Sequence, residues 1–315
     1  MVENTIAATH AVVTLDVALP GIIWGWMITL NMWAKSIGTG VIMVGFYLLY
    51  RHKKEDMPNL RWLMPLISFI ALNVFLLFTL LDLHQPLRMV NIFLHPNWTS
   101  AITVGAWMAS LYTGLITLMA YIGAMDQFPD FRRHCPVSKA ARTNSAIYEK
   151  IFPFVVFLAI PVTLYTAIIM AESSARDLWQ APTEMMQMLL AAFLAGSATL
   201  IFISDQWSVN ARRELSFILA LSVFLGFMMY MGEYFFSFKS AEAEATLKFV
   251  HAGGEYNGQF WFAMIVGFVI PFFLSISTMK SDNKVILKFT ALIALVGLYL
   301  AKDVWLKIPQ MLPLS

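Results

Sequence analysis

The sequence contains a single cysteine, Cys135. A disulfide needs two cysteines and an iron–sulfur cluster is usually held by four, so the chain is expected to hold neither. Histidine is also scarce, and the six histidines lie in loops or at the ends of apolar runs. No pair of them is placed to clamp a haem between two helices. We therefore expect no metal, haem or iron–sulfur cluster in this chain.

Charged residues are scarce as well: they make up 13% of the 315 residues, whereas hydrophobic residues make up 59% and the mean hydropathy is +0.69. These values lie outside the range of soluble globular domains and indicate a polytopic membrane protein, with lipid rather than nucleic acid as its surroundings. The first eighteen residues lack lysine and arginine. They lack the basic region of a secretory signal, so we expect the N-terminus to be retained.

The chain contains eight apolar runs, each long enough for the roughly 20 residues of a membrane-spanning helix. The sequence therefore predicts an all-α protein with eight transmembrane helices. The predicted spans are residues 19–50, 62–83, 101–125, 151–171, 184–205, 215–236, 259–279 and 285–306.

The basic residues between these runs predict the orientation of the chain. Fourteen lysines and arginines lie on one side of the predicted membrane, six lie on the other, and Lys35 falls within the first span. Because cytoplasmic loops carry the excess of basic residues, we place the richer side in the cytoplasm. Both termini are then expected on the periplasmic side.

A long basic connection, residues 126–150, divides the eight spans into four plus four. We predict a cytoplasmic loop there, between two four-helix bundles: residues 1–125 with 151–171, and residues 184–315. The small-residue rows SIGTG (36–40) and LAGSATL (194–200) favour close helix contact. On the other side, residues 84–100 and 237–258 are expected to lie against the membrane surface.

Polar residues gather in the outer part of the predicted spans. Counting about 20 residues back from Tyr50 places Asn31 and Lys35 in the outer third of the membrane. The outer ends of spans two, four and six carry further polar groups, among them Asp82, His84, Tyr165, Glu172 and Glu233. Towards the cytoplasm, a dilute row of polar residues is a possible proton path; it comprises Asn73, Ser110, Thr113 and Thr117.

Lys35 has two interpretations at this depth. It either plays a structural part, extending outward to the interface or pairing with Asp82, or it lines a pocket for a ligand that arrives from the lipid. In the second case Lys35, Asn31, Asp82 and Tyr165 donate hydrogen bonds to the ligand and exchange protons with it. Intramembrane ionisable groups are usually functional, but placement alone does not decide between the two.

Residues 81–112, LDLHQPLRMVNIFLHPNWTSAITVGAWMASLY, resemble the D-L-x-x-P-x-R, H-P, S and G-A-W signature of the NrfD-like family, the membrane subunits of polysulfide reductase and related respiratory enzymes. Residues 164–182, LYTAIIMAESSARDLWQAP, resemble the span-four motif of that family. The row SIGTG resembles its glycine-rich first helix. The resemblance covers spans one to four, whereas the second half resembles the family mainly in topology.

The resemblance implies a quinone-reactive membrane subunit of the bacterial inner membrane. Such a subunit binds menaquinone or ubiquinone near the periplasmic face. It exchanges electrons with a periplasmic iron–sulfur subunit, which serves a catalytic subunit that contains molybdopterin or is a multihaem cytochrome. Proton translocation is possible, and we expect quinol oxidation rather than quinone reduction.

The resemblance also assigns residues. Asn31 stands where the polysulfide reductase subunit has a histidine, so Lys35 is expected to supply the charge, with Asp82 and Tyr165 as the other catalytic groups. Asn31, Lys35, Asp82 and Tyr165 would bind the quinone. A proton path or a partner contact is expected to involve His84, Arg88, Asn73, Glu172 and Glu233.

Two other classes of protein stay open. A secondary transporter would use the same charges as a substrate site, and Pro161 and Pro271 are expected to interrupt spans four and seven, as transporter helices often are. The outer position of the charges fits transport poorly, because transporter sites lie near the midplane. A purely structural membrane anchor is the third possibility.

Overall fold

A computed structural model describes residues 22–83, 86–128, 145–236 and 240–312. Within these residues the secondary structure is helical, and eight helices are long and apolar enough to cross a membrane. This confirms an all-α, multi-pass protein. The helices are α1 (Trp26–Arg51), α2 (Leu60–Asp82), α3 (Ala101–Gln127), α4 (Ser145–Ala171), α5 (Ala181–Ile203), α6 (Val209–Phe236), α7 (Asn257–Ser281) and α8 (Lys284–Lys307).

The starts of three helices differ from the prediction, and one of them is α6, which begins at Val209 rather than at residue 215. Helix α1 begins at Trp26 rather than at residue 19, because the backbone N–H groups of Ile23 and Trp24 bind the Gln310 side chain instead of a helical turn. Helix α4 begins at Ser145 rather than at residue 151. The first turns of α4 are polar, so a search for apolar runs detects only the apolar remainder of the helix. Residues 129–144, most of the predicted cytoplasmic loop, lie outside the described ranges.

The prolines do not end the helices in which they lie. Pro161 falls inside the continuous helix α4, so the expected interruption there is wrong. In α7 a π-helical segment, Ala263–Val269, precedes Pro271, and the helix continues to Ser281. A proline in a membrane helix is tolerated because neighbouring groups and local helix adjustments satisfy the freed carbonyl groups.

Helix α1 lies at the centre of the packing and contacts α2, α4, α5 and α8. Its contact with α5 is a backbone contact, in which a Cβ atom at Gly40 would lie 1.8 Å from the Ala192 carbonyl oxygen. A Cβ atom at Gly196 would lie 2.2 Å from the Gly40 carbonyl carbon. The two small-residue rows therefore do allow close helix contact, as predicted.

Ion pairs cluster at one end of the helices. His52 and Arg51 bind Glu214, and Lys54 lies 2.7 Å from Glu149. Helices α6 and α8 add Arg212 with Asp282 and Lys288 with Asp205 at the same end. The two ends of the described chain meet at the opposite end, where Gln310 binds the backbone of Trp24. Which end faces the periplasm stays a prediction.

The connections at the Gln310 end are short helices and turns. Pro86–Val90 is a 3-10 helix that continues into Asn91–Leu94, and the Phe93 ring lies 5.5 Å from the Trp107 ring of α3. The connection between α6 and α7 contains the helix Ala241–Leu247, whose N-cap Ser240 accepts a hydrogen bond from the Ala243 N–H. Leu247, the last residue of this helix, is fully buried, so the helix packs onto the ends of the spans.

We expect Gly196→Ala to destabilise the protein by about 3 kcal/mol, because the added methyl group meets the backbone of α1 and forces α1 and α5 apart. The melting temperature in detergent measures the effect. Gly114→Ala on α3 is the control, since nothing lies within 4 Å of a Cβ atom there. Equal melting temperatures of the two variants would contradict the backbone contact.

A second prediction concerns pH. The Arg212 guanidinium binds both carboxylate oxygens of Asp282, at 2.9 and 2.5 Å, and this hydrogen bonding lowers the pKa of Asp282. Because the pKa is lowered in the folded state, the ionised carboxylate stabilises the fold at pH values above the ordinary carboxyl pKa of about 3.9. This stabilisation is lost as the pH falls through the folded-state pKa. We expect Asp282→Asn to melt at a lower temperature than the parent at neutral pH.

The difference in melting temperature should shrink as the pH falls below about 4, where the parent loses the same interaction. Melting curves of both proteins across this range are the measurement. A difference that stays constant with pH would show that Asp282 acts through packing rather than through its charge.

Candidate functional site

Asn31 is buried against α2. Its amide nitrogen donates hydrogen bonds to the Phe75 carbonyl oxygen at 2.9 Å and to Thr79 Oγ1 at 2.5 Å. An asparagine amide has two N–H groups, so both are used within the protein. Asn31 therefore fixes α1 to α2, and its carbonyl oxygen is the group left for other partners.

Lys35 lies one turn further along α1 and is fully buried. Its ammonium group donates to the Thr163 carbonyl oxygen at 3.1 Å and to Thr166 Oγ1, both on α4. The ammonium also lies 4.7 Å from the centre of the Tyr165 ring. The side chain therefore does not extend to the interface, and it is bound to α4 rather than to Asp82, so neither form of the structural interpretation describes it.

The Tyr165 ring is half-buried and rests on the backbone of α3. A Cβ atom at Gly105 would lie 2.2 Å from Tyr165 Cδ2, so only glycine leaves room for the ring. Gly105 is the glycine of the G-A-W stretch. The G-A-W stretch is visible in the sequence, but we did not predict from it that Gly105 makes room for the Tyr165 ring.

The structure brings Lys35 together with Thr163, Tyr165 and Thr166 of α4, and these four residues are called the Lys35 group. Asn31 lies on the same helix as Lys35 but binds α2.

Asp82 is the last residue of α2 and is half-buried, whereas Arg88 and Glu172 are exposed. Glu233 is half-buried near the end of α6. His84 lies outside the described residues.

The predicted polar row towards the cytoplasm does not connect to the Lys35 group. Asn73 is exposed and donates to the Phe69 carbonyl oxygen of its own helix at 2.8 Å. The hydroxyl groups of Thr113 and Thr117 likewise donate to carbonyl groups one turn back on α3. These side chains satisfy their polarity within their own helices and face outward at most positions.

A second set of buried polar residues lies between α5, α6 and α8, and sequence reasoning missed it. This set, called the Glu184 group, comprises Glu184, Gln187, Lys302 and Trp305. Glu184 is 1% exposed and accepts a hydrogen bond from Trp305 Nε1 at 3.0 Å. Lys302 was counted with the outer loops, but it is buried in α8, 4% exposed, with its ammonium 3.2 Å from Met188 Sδ. The available signal was a charge near the end of each of two apolar runs, Glu184 in one and Lys302, next to Asp303, in the other.

This second group surrounds a small cavity of about 10 Å³. Two of its lining residues lie one helical turn from the Lys35 group: Met32 precedes Lys35 by three positions in α1, and Met170 follows Thr166 by four in α4. The lining residues are Met32, Met170, Glu184, Gln187, Met188, Tyr230, Lys302, Trp305 and Leu306.

A larger cavity of about 320 Å³ lies at the other end of the helices, between α1, α2, α3 and α4. Its walls include Tyr50, Trp62 and Tyr148 together with the ion-paired residues Lys54 and Glu149. Those charges are partly exposed and already paired. The buried ammonium of Lys35 is the stronger sign of a functional site, because a charge at membrane depth is costly to retain.

The residues that the structure describes contain no cluster of three or more histidine, cysteine, aspartate or glutamate side chains able to hold a metal ion. The Lys35 group offers hydrogen-bonding side chains and contains no metal ligand set. An ammonium, a phenol and the Thr166 hydroxyl group suit a ligand with oxygen atoms that gain and lose protons.

Comparison with known families identifies the chain. A family model described as polysulphide reductase, NrfD, matches residues 17–311, which is nearly the whole chain. A comparison with curated proteins finds no match. The family match extends past α4, where the sequence resemblance weakened, and covers α5 to α8 with the Glu184 group. Members of this family are quinone-reactive membrane subunits, generally of respiratory oxidoreductases. The chain belongs to the NrfD family.

Proposed function

We propose that this chain is the membrane anchor and the quinol-reactive subunit of a respiratory oxidoreductase in a bacterial inner membrane. It takes two electrons from a quinol, menaquinol or ubiquinol, and delivers them to a periplasmic iron–sulfur subunit. That partner serves a catalytic subunit with molybdopterin or several haems. Family membership supports the class of protein, and the Lys35 group supports the location of the quinone site.

The buried ammonium of Lys35 carries the proposal. Its hydrogen bonds go to a carbonyl oxygen and a hydroxyl group, both neutral, rather than to a carboxylate. Placing a charge in the membrane without a charged partner is expensive, so we infer that the ammonium is retained for a ligand. An ammonium stabilises negative charge that develops on a quinone oxygen, and the Lys35 group can provide this stabilisation without a metal.

The other residues then have distinct roles. Lys35 holds one ring oxygen of the quinol, and Tyr165, resting on Gly105, binds a second polar atom of the ring. Asn31 positions Lys35 by fixing α1 to α2. In this proposal Asp82 accepts a proton near the outer end of α2, and His84 receives protons beyond it.

The surface at the outer end suits a partner subunit. Leu87 is 91% exposed, and Leu94 and Trp98 are also largely exposed beside Arg88. We infer that the iron–sulfur subunit docks here. Glu172 is exposed at the same end and is a further candidate contact.

The proposal includes two four-helix bundles with both termini in the periplasm. Each of α1 to α4 contacts the next and α4 contacts α1, and the same closed order holds for α5 to α8. The even number of spans and the meeting of Trp24 with Gln310 support placing both ends on one side.

We expect Lys35→Met to assemble but to lose most quinol-dependent reduction of the partner, on the order of 100-fold, because the variant keeps the side-chain length without the ammonium. Asp82→Asn should slow the same reaction by removing a proton acceptor. Quinol oxidation by the purified complex, with the iron–sulfur subunit as electron acceptor, is the measurement.

The exposed Lys248, changed to Met, is the control for loss of a positive charge. Normal activity of both Lys35→Met and Asp82→Asn, with intact assembly, would remove the proposed site. Transport of a solute by the chain alone in liposomes would favour a secondary transporter. Loss of partner docking without any effect on quinol chemistry would favour a purely structural anchor.

Gly105→Ala provides an independent test, because its methyl group must push the Tyr165 ring out of place. We expect a several-fold rise in the KM for quinol with normal assembly of the complex. Gly114→Ala on the same helix should leave the KM unchanged, since its methyl group has open space around it. Indistinguishable KM values for the two variants would contradict a role of Tyr165 in binding quinol.

A further inference from the structure

The Glu184 group holds more hydrogen-bonding capacity than its protein neighbours satisfy. The Lys302 ammonium has three donors, and its contact in the structure is a methionine sulfur, a weak acceptor. The buried Gln187 side-chain nitrogen has no hydrogen-bond partner among the described residues. Glu184 receives one hydrogen bond, from Trp305. The three side chains line the same small cavity.

The cavity has the size and the chemistry for one water molecule. Its volume of about 10 Å³ is close to the minimum that a single water requires, and such a water needs two to four polar partners. Here it would accept hydrogen bonds from Lys302 and Gln187 and donate to Glu184. Two buried ionisable groups bridged by water can hold and release a proton.

The position of this group connects it to the Lys35 group. The two lysine ammonium groups are near enough to interact electrostatically. Met32 and Met170 form the wall of the cavity on the α1 and α4 sides, one helical turn from Lys35 and from Thr166 respectively. Methionine side chains are flexible, so this wall can open transiently to water without a change in the helices.

The group also has a connection to the outer end. Tyr230 of α6 lines the cavity, and Glu233 lies one turn further along the same helix, half-buried. The carboxyl groups of Glu233 and Glu184 are near enough to interact electrostatically. The charged or titratable groups facing Glu184 are therefore Lys302 of α8, Tyr230 and Glu233 of α6, and Lys35 across the methionine wall.

We propose that Glu184 and Lys302, with one bound water, form a proton-transfer site that takes a proton released at the Lys35 site and passes it through Glu233 to the periplasmic side. This inference rests on the proposed function. Oxidation of one quinol releases two electrons, which reduce the iron–sulfur partner, and two protons. One proton forms an O–H bond on the Glu184 carboxylate and later leaves it for Glu233 and bulk water.

Infrared difference spectra of the whole complex, recorded between its quinone-oxidised and quinol-reduced forms, test this proposal. We expect a carbonyl band of a buried carboxylic acid that disappears in Glu184→Gln, while the quinone bands remain. Steady-state quinol oxidation should fall on the order of 100-fold in kcat with little change in KM, because the variant loses proton transfer rather than binding. The exposed Glu244, changed to Gln, is the control and should match the parent.

Glu233→Gln is the second variant, since its half-buried position makes assembly less sensitive to the change. Glu233→Gln should lower kcat without changing KM. If Glu184→Gln fails to assemble, the kcat of Glu233→Gln tests the proton-transfer site in its place. An unchanged acid band and an unchanged kcat in Glu184→Gln, or an unchanged kcat in Glu233→Gln, would overturn the proton site. Absence of quinone bands from the parent complex would instead overturn the proposed function.

Discussion

The backbone contact between Gly40 and Gly196 is the constraint on which the other contacts of this fold depend. In lipid, helices gain no hydrophobic energy from associating, so close approach of small residues supplies much of the attraction. This contact brings α1 against α5, while α2 and α4 pack on its other sides. Helix α1 is therefore enclosed by protein along much of its length, and the polar side chains on it meet other helices instead of lipid.

Three polar residues of α1 consequently bind three different helices. Thr29 donates to Asp303 of α8 at 3.0 Å, Asn31 binds the backbone of α2, and Lys35 binds that of α4. Each hydrogen bond is satisfied far from water, where leaving a donor without an acceptor is expensive. The outer half of α1 thus fixes the relative positions of the helices around it, and the same bonds define the edges of the proposed quinone site.

The number and type of the helices followed from the sequence, because a membrane span must be apolar over about 20 residues and must satisfy its backbone internally. The starts of α4 and α6 did not follow, since these helices begin in polar turns that hydropathy does not register. The start of α1 did not follow either, because the backbone before Trp26 binds Gln310 instead of forming a helical turn. Lys35 and Tyr165 were predicted to lie close together, through their shared depth and the family resemblance, and they are in contact, whereas Asn31 binds α2. Which residue bonds to which was not predicted.

The Glu184 group shows why a site between distant segments escapes sequence analysis. Glu184 and Lys302 are 118 positions apart, and each lies near the end of an apolar run, where charges usually face the interface. Only the packing of α5 against α8 turns both inward. Gly105 is a similar case, because its role depends on a tyrosine 60 positions away.

The two lysines also constrain each other. Lys35 and Lys302 bring like charges into a region from which water is largely excluded, so each makes the other's positive charge more costly. Glu184 faces Lys302 and offsets part of that cost, whereas Lys35 is held by neutral oxygens. Any change of charge at Lys35 therefore alters the balance between Lys302 and Glu184. Because the membrane supplies no solvent to screen this interaction, the charges of the two groups act on each other although their hydrogen bonds are separate.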